Sequence, residues 1–418
     1  MNFETNMMLN DEQTIRFVTK TDTGSGCEEK MRICHIITGL NDGGAEAVLY
    51  RLCTSDTENR HVVISLMDEG KYGPLLRAAG VEVYTLGMPR RKVTIGALFR
   101  LWRLLRSVRP DVVQTWMYHA DLVGGVVARF AGVSTVCWGI RHTTLELGLT
   151  PRTTIMVART CAGLSHWIPT AIVSCSHEAA RVHQALGYAA RKFVVVPNGY
   201  DLERFSPDTE ARERLRAEWG VDAQTPLIGM VARFDPQKDH ANLLAALGLL
   251  KQQGVKFRCV LVGTGMDNTN EDLTKRIAEA GLDEYVYLLG PRNDIPAIMN
   301  TLDVHVLSSA GEAFPNVLAE AMACGTPCVT TDVGDAAFIV GETGWVVPPR
   351  DSRALAEALV AALTQRQNED SWQARKLGCR ERIATHFTLD AMISGYRKVW
   401  VKAAESTRTT SVEAPRKG

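Results

Sequence analysis

The sequence predicts an α/β protein made of two doubly wound, Rossmann-like domains facing each other across a cleft. Three observations carry this expectation. Short apolar runs rich in β-branched residues alternate with longer helical patterns, the signature of parallel sheets with crossover helices. At 418 residues the chain exceeds one ordinary core. The runs also fall into two series, separated by one long polar stretch.

The first series predicts strands at 32–37 ("RICHII"), 61–66, 81–86, 111–116, 134–138 ("STVCW"), 171–175 and 192–197. The second predicts them at 226–233 ("PLIGMVAR"), 257–263, 285–290, 303–309 and 326–332. The polar stretch 197–215 ("PNGYDLERFSPDTEARERL") marks the boundary, giving a first domain over 30–200 and a second over 201–388. A last helix, 389–404, follows Thr388, a residue type that caps helix N-termini. Residues 1–29 and 405–418 are polar and unpatterned and are expected to be mobile tails.

Composition is that of a globular chain, 45% hydrophobic and 22% charged with a formal net charge of zero. The charge is unevenly spread: residues 30–200 hold 20 Lys and Arg against 11 Asp and Glu. Such asymmetry fits an anionic partner for the first half, either a phosphate-bearing substrate or a membrane surface. No pattern points to nucleic acid. The ten cysteines include no CxxC pair, so they read as reduced thiols. No HExxH or similar spacing supports a protein-built metal site. Neither a secretory signal nor a membrane span is supported, and the expectation is a cytoplasmic protein.

In doubly wound sheets, ligands bind beyond the carboxyl ends of the strands, so the loops there hold the candidate residues. After the first strand, Gly43 and Gly44 lead into a helix, and adjacent glycines permit positive φ and close backbone approach. His119 lies past the fourth strand, and Arg141 and His142 lie past the fifth. In the second series, Arg233 and Lys238 share the first strand-to-helix loop, where a planar guanidinium and a point-charge ammonium suit a diphosphate. Gly263 and Gly265 follow the next strand. No G-x-G-x-x-G fingerprint and no GKS or GKT phosphate loop occurs.

The stretch 311–325 ("GEAFPNVLAEAMACG") carries two glutamates eight positions apart. Glu320 has Asn316, Val317, Ala323 and Cys324 at the positions one turn away, so no basic residue on its own helix can pair with it. A carboxylate set among Ala319, Ala321 and Met322 carries a desolvation cost unless it meets a ligand or a distant partner. Glu312 precedes Pro315, expected at the first helical position, and the N–H groups that follow it up to residue 318 form an anion site. Cations and a helix N-terminus between two carboxylates suit a diphosphate flanked by diols, which describes a nucleotide sugar.

On these residues the chain resembles retaining glycosyltransferase family 4, which has the GT-B fold. The resemblance spans about residues 31–400. It rests on the E-x7-E pair Glu312/Glu320, "GGAE" at 43–46, "PNGYDLERF" at 197–205, "VARFDPQKDH" and "VGTG", in order and spacing. It implies that Glu320 holds the ribose hydroxyls and Glu312 the donor sugar. Arg233 and Lys238 would neutralise the diphosphate, helped by the N–H groups of Phe314, Asn316 and Val317 around Pro315, with Gly263 and Gly265 close by. Pro291 and Arg292 would lie against the base, and His119 near sugar and acceptor. Gly43, Gly44, Arg141 and His142 would form the acceptor side, and the last helix would cross back to the first domain.

The implied activity is hexosyl or N-acetylhexosaminyl transfer with retention, onto a glycan or a lipid-diphosphate-linked acceptor of bacterial polysaccharide assembly. The co-substrate would be a nucleoside diphosphate sugar, UDP in preference to GDP, with no tightly bound cofactor. No D-x-D triplet occurs, and no metal requirement is expected. Two other readings share the architecture: a nucleotide-sugar 2-epimerase, and a non-catalytic nucleotide-sugar-binding partner. Relatives often carry Gly-Gly and then Glu after the following strand; here the loop is "DVGDAAFIVG", which leaves Asp335 without an assigned role. Residues 89–109 hold seven basic and no acidic residues. They read either as a crossover helix with a solvated basic face or as a contact with an anionic membrane surface, placing the protein on the inner face of the cytoplasmic membrane.

Overall fold

The computed structural model describes residues 30–89, 92–143, 145 and 150–412. The expected tail 1–29, Arg90 and Arg91 of the basic segment, and residues 413–418 lie outside the described residues.

The seven runs of the first series form one sheet: β1 (Arg32–Ile37), β2 (Arg60–Ser65), β3 (Glu82–Thr85), β4 (Val112–Trp116), β5 (Val136–Ile140), β6 (Ala171–Ser174) and β7 (Phe193–Val195). The second sheet holds β8 (Leu227–Val231), β9 (Arg258–Val262), β10 (Val286–Leu288), β11 (Val304–Leu307), β12 (Cys328–Thr331) and β13 (Trp345–Val347). Strand orders are β3-β2-β1-β4-β5-β6-β7 and β10-β9-β8-β11-β12-β13, with every pairing parallel. In register, Ile33 of β1 lies between His61 of β2 and Val112 of β4. Helices cover both faces, which is why β8 (LIGMV) and β9 (RCVLV) read as nearly unbroken apolar runs. The architecture is GT-B, two Rossmann-like domains facing across a cleft.

Order reverses between β1 and β4 and between β8 and β11, so the crossovers on either side diverge and leave a crevice at the strand ends. Four predicted loops open there: after β1, β4, β8 and β11.

Three expectations need correction. β13 is missing from the expected strands because its apolar run is only "WVV", closed by Gly344 and Pro348, whereas the equally short β7 and β10 lie within longer apolar runs. β5 starts at Val136 and runs through Gly139 to Ile140, two residues later than expected. The last helix spans Leu389–Val412, so residues 405–412 continue the helix expected to end at 404.

That helix begins where Thr388 Oγ1 accepts from Ala391 N at 3.1 Å. It packs on the first sheet: Met392, Ile393, Tyr396, Val399, Trp400 and Ala403 are buried in one cluster with Ile33, Ile37, Leu52 and Trp116. The chain therefore passes twice between the two halves. The passes are paired, with Tyr200 N donating to Phe387 O at 3.0 Å and Leu389 N to Tyr200 O at 3.1 Å.

The basic segment forms the helix Ile95–Val108, capped by Thr94. Ala97, Leu101 and Leu105 are buried, Arg103 and Arg106 face solvent, and Arg100 donates to Leu86 O. Its packing is that of a crossover helix. Among the described residues no helix is long and apolar enough to cross a membrane.

Candidate functional site

The loops after β8 and β11 are tied to each other. Ala310 N donates to Gln237 O at 2.8 Å, and Ser308 Oγ donates to Lys238 O at 2.9 Å. Asp235 starts the short 3-10 turn Pro236–Lys238 by accepting from Gln237 N at 2.9 Å. This turn aims Lys238 at Glu312: Lys238 Nζ donates to Glu312 Oε1, which also accepts from Ser309 Oγ at 2.7 Å. Two residues expected to serve different parts of a donor thus touch each other. Arg233 reaches outward from the same loop, 58% exposed, with Nε 3.1 Å from Asp235 Oδ2. The loop after β9 closes on it: Phe234 N donates to Thr264 O at 2.8 Å. At Gly263, φ is 140° and a Cβ would collide with Ala232 O, so the backbone approach requires glycine.

The helix after β11 spans Asn316–Ala323, with Pro315 one position before it rather than first within it. The Phe314 ring is buried edge-on to Phe387, 5.8 Å between centroids, so only its main chain faces the loop. Asn316 Oδ1 accepts from Asn198 Nδ2 at 2.9 Å and Tyr200 OH at 2.6 Å, which joins the helix start to the first pass between the halves. Val317 packs against the core.

Glu320 has the distant partner its own helix lacks. Arg51 Nη1, from the helix Gly44–Ser55 after β1, lies 3.8 Å from Glu320 Oε1, with the two side chains 11% and 16% exposed. Burial raises the Glu320 carboxyl above its ordinary range, against the pull of Arg51 and Arg204. Arg51 lies over the Tyr200 ring at 5.1 Å, and its Nε and Nη2 are buried without a hydrogen-bond partner. An ion pair this desolvated adds little stability over apolar side chains of similar size, so fold stability alone does not account for it. Sequence reasoning missed Arg51; its seven-residue spacing from Gly44 puts both on one helix face, which was the available signal.

Gly43 and Gly44 both avoid positive φ. What they provide is room. Gly43 is the N-cap of the helix Gly44–Ser55, and a Cβ there would strike the Glu46 carboxylate. A Cβ on Gly44 would stand 3.1 Å from Asn316 Nδ2, so two helix N-termini meet here across the cleft.

On the first-sheet side a cavity of about 580 Å³ opens beyond β1, β4 and β5. His119, Arg141, His142, Glu46 and Met117 line it, and Gln237 of the second half closes it. Burial lowers the pKa of His119. His142 Nε2 lies 3.2 Å from Thr150 Oγ1. Arg141 is held in place: Nη1 donates to Asn198 Oδ1 at 2.5 Å, Nη2 to Tyr396 OH, and the guanidinium lies 4.6 Å from the Trp116 ring centroid. Met117 has φ 70° and ψ 158°, a region costing a non-glycine residue about 1–3 kcal/mol.

Arg292 forms a two-point pair with Asp294, 2.8 and 2.6 Å, and has Glu218 at 3.8 Å. Pro291 beside it is exposed. Asp335 Oδ2 and Oδ1 accept from His177 N at 2.8 Å and Glu178 N at 3.0 Å, capping the helix His177–Ala185 of the other half. His35, Cys53 and His61 have ligand-type atoms within 4.8 Å of one another. Trp116 Nε1 donates to His35 Nδ1 at 3.1 Å, so the His35 proton sits on Nε2, facing His61 Nδ1 at 2.9 Å. His61 Nε2 in turn lies 3.2 Å from Asp56 Oδ2. The nitrogen lone pairs are spent within this chain of contacts, which suits it poorly to a metal ion.

Residues 42–204 match the family described as "Glycosyltransferase Family 4", and residues 225–365 match "Glycosyl transferases group 1". The chain is 30% identical over 315 residues to the glycosyltransferase EpsF of Bacillus subtilis (strain 168), covering 72% of this chain and 79% of that one. It is 24% identical over 316 residues, 73% and 79% of the two chains, to an Escherichia coli UDP-Gal:alpha-D-GlcNAc-diphosphoundecaprenol alpha-1,3-galactosyltransferase. The fold matches that of Anabaena HepE in complex with UDP and glucose, with TM-score 0.78 and 22% identity over 89% of this chain and all of that one.

Proposed function

The chain belongs to glycosyltransferase family 4, and from that membership we propose that it moves a sugar from a nucleoside diphosphate sugar to an acceptor hydroxyl with retained configuration, in the assembly of a glycan or lipid-diphosphate-linked glycan. One observation carries the reading: Arg233, the Lys238–Glu312 pair and the start of the helix Asn316–Ala323 gather where β8 and β11 diverge, with Glu320 one turn further along.

Each group has a role that its chemistry fits. Glu320 accepts from the ribose diol, and Glu312 from hydroxyls of the donor sugar. Arg233 and Lys238 neutralise the departing diphosphate, and the N–H groups of Phe314, Asn316 and Val317, flanking Pro315, add the positive end of a helix dipole. Pro291 and Arg292 border the base, Gly263 and Gly265 admit the diphosphate, and His119 faces sugar and acceptor. Gly43, Gly44, Arg141 and His142 belong to the acceptor side. The acceptor oxygen bonds to the anomeric carbon on the face the phosphate leaves, and the departing phosphate oxygen takes the proton. Preorganised charge on the leaving group supplies most of the acceleration. Because that charge comes from side chains and a helix end, EDTA leaves turnover unchanged.

A UDP-sugar is the proposed donor, in keeping with a relative named for UDP-Gal and a fold neighbour crystallised with UDP-glucose. An anionic membrane is a second proposed partner. Val93, Ile95 and Phe99 are exposed beside Lys92 and Arg103 at one end of the helix Ile95–Val108, an apolar edge within a basic surface. The expected place is the cytoplasm, with contact to the inner membrane face through this surface. Co-sedimentation with phosphatidylglycerol vesicles that fades as salt rises supports this; no binding at low salt removes it.

The deciding experiment screens UDP- and GDP-sugars by thermal shift and by slow release of nucleoside diphosphate. One UDP-sugar that both stabilises and is cleaved is the expected result. Free epimerised sugar without acceptor would assign an epimerase instead, and binding without turnover under every acceptor would assign a silent binding protein.

A further inference from the structure

Glu46 closes the "GGAE" motif, yet none of the roles above uses it. It is the third residue of the helix Gly44–Ser55 and lines the cavity beyond β1, β4 and β5. Among the described residues lining that cavity it is the only carboxylate. The cavity's other ionisable groups are Tyr118, His119, Arg141 and His142. Arg141 is taken up by Asn198 and Tyr396, and His142 lies against Thr150. Glu46 also stands where the two halves of the cleft meet, within the field of Arg233. Met117, in the strained conformation described above, lines the same cavity, and strain of this kind collects at functional sites.

We propose that Glu46 receives the acceptor, its carboxylate accepting a hydrogen bond from a hydroxyl next to the attacking one and so holding the attacking oxygen toward the anomeric carbon of the donor. The inference rests on the transferase reading above. Retention by attack on the leaving-group face requires acceptor and diphosphate on the same side of the sugar. Glu46 shares its cavity with Gln237, the chain neighbour of Lys238 in the turn assigned to the diphosphate, which meets that requirement. In the step, the acceptor oxygen–carbon bond forms as the carbon–phosphate oxygen bond breaks. The hydroxyl proton passes to the departing phosphate oxygen, and Glu46 stays ionised. Burial and the nearby Asp42 charge raise its carboxyl pKa, with its own N–H and Arg233 opposing.

A purely structural alternative exists, since a glutamate at the third helical position reaches back to cap the helix start. The test uses the full chain, the UDP-sugar selected by the donor screen and a panel of alkyl glycosides as acceptors. Glu46→Ala is expected to lower transfer on the order of 10²-fold, with acceptor KM rising at least ~10-fold. UDP Kd and Tm should stay at wild-type values. Glu46→Gln, which keeps an accepting oxygen, should recover transfer to within about 10-fold of wild type. If wild type transfers and Glu46→Ala transfers equally well, the inference is overturned. It is also overturned if UDP affinity and Tm fall in step with turnover, because Glu46 is then a helix cap. If wild type cleaves no nucleotide sugar, the transferase reading itself fails.

Discussion

Arg51 and Glu320, 269 positions apart in sequence, stand 3.8 Å from each other and join the first helix of one sheet to the helix after β11 in the other. Burial raises the Glu320 carboxyl, and the Arg51 charge opposes that, favouring the ionised form. An ionised Glu320 accepts two hydroxyl hydrogen bonds, whereas a protonated one accepts fewer. Arg51→Met is therefore expected to weaken UDP binding about 10-fold, a 1.4 kcal/mol effect. Combined with Glu320→Gln, the losses should be non-additive by roughly 0.5–3 kcal/mol in a double-mutant cycle read by calorimetry. Strict additivity would separate the two residues functionally.

The two glutamates should divide by ligand. Glu320→Ala weakens free UDP and the intact donor alike, while Glu312→Ala weakens the intact donor and spares free UDP. Equal losses for UDP in both variants would contradict the assignment. Removing the Glu312 partner tests a different step: Lys238→Met is expected to cut turnover by about 10²–10³, by analogy with loss of one oxyanion-hole donor. Stopped-flow measurement of the chemical step checks this.

Asp335 should matter for cohesion of the halves. Its carboxylate caps the helix His177–Ala185 from across the cleft, alongside that helix's own N-cap, Ser176. Losing a helix cap costs about 0.5–2 kcal/mol. Asp335→Ala should lower the urea midpoint accordingly and increase amide exchange at 177–179. UDP affinity is expected to hold, and a selective loss of it would instead place Asp335 at the donor.

Acid should destabilise the protein through buried neutral histidines. His183 Nδ1 donates to Ala179 O at 2.7 Å, its Nε2 lies 2.7 Å from Tyr118 OH, and burial lowers its pKa to about 4. The folded value lies below the unfolded one, so between about pH 6.5 and 4 only the unfolded chain binds this proton. Stability then falls as pH falls through that window, by up to about 1.4 kcal/mol per pH unit for this one group. His183→Gln should flatten the slope by that amount in urea titrations. Asp121 acts in the opposite sense: burial lifts its carboxyl to about 8, so its contribution fades as pH rises toward that value.

Much of this architecture was legible because burial on both faces writes itself into composition. β1, β4, β8 and β11 are read directly from apolar runs, and the switch-point loops follow from them. β13 escaped because its apolar run stops at three residues between Gly344 and Pro348, while β7 and β10, equally short as strands, lie in longer apolar runs. Glu320 shows the limit differently. Its sequence neighbours rule out a helical partner, but a partner 269 positions away leaves no local trace. Arg141 is similar: a lone arginine at a strand end looks available for ligand, and only the packed helix reveals that Tyr396 and Asn198 already hold it. Asp335 read as a departure from a motif, and its cap on a helix of the other half depends on tertiary approach alone.

The last helix bears on how this protein can be taken apart. Tyr396 and Trp400 complete the core over Trp116 and Ile37, although they come from the far end of the chain. Cutting near residue 200 would strand the N-terminal fragment with an uncovered apolar face, prone to aggregation. Chimaeras that exchange donor halves between relatives should therefore graft residues 201–388 alone, leaving the host's own final helix attached to its own first sheet.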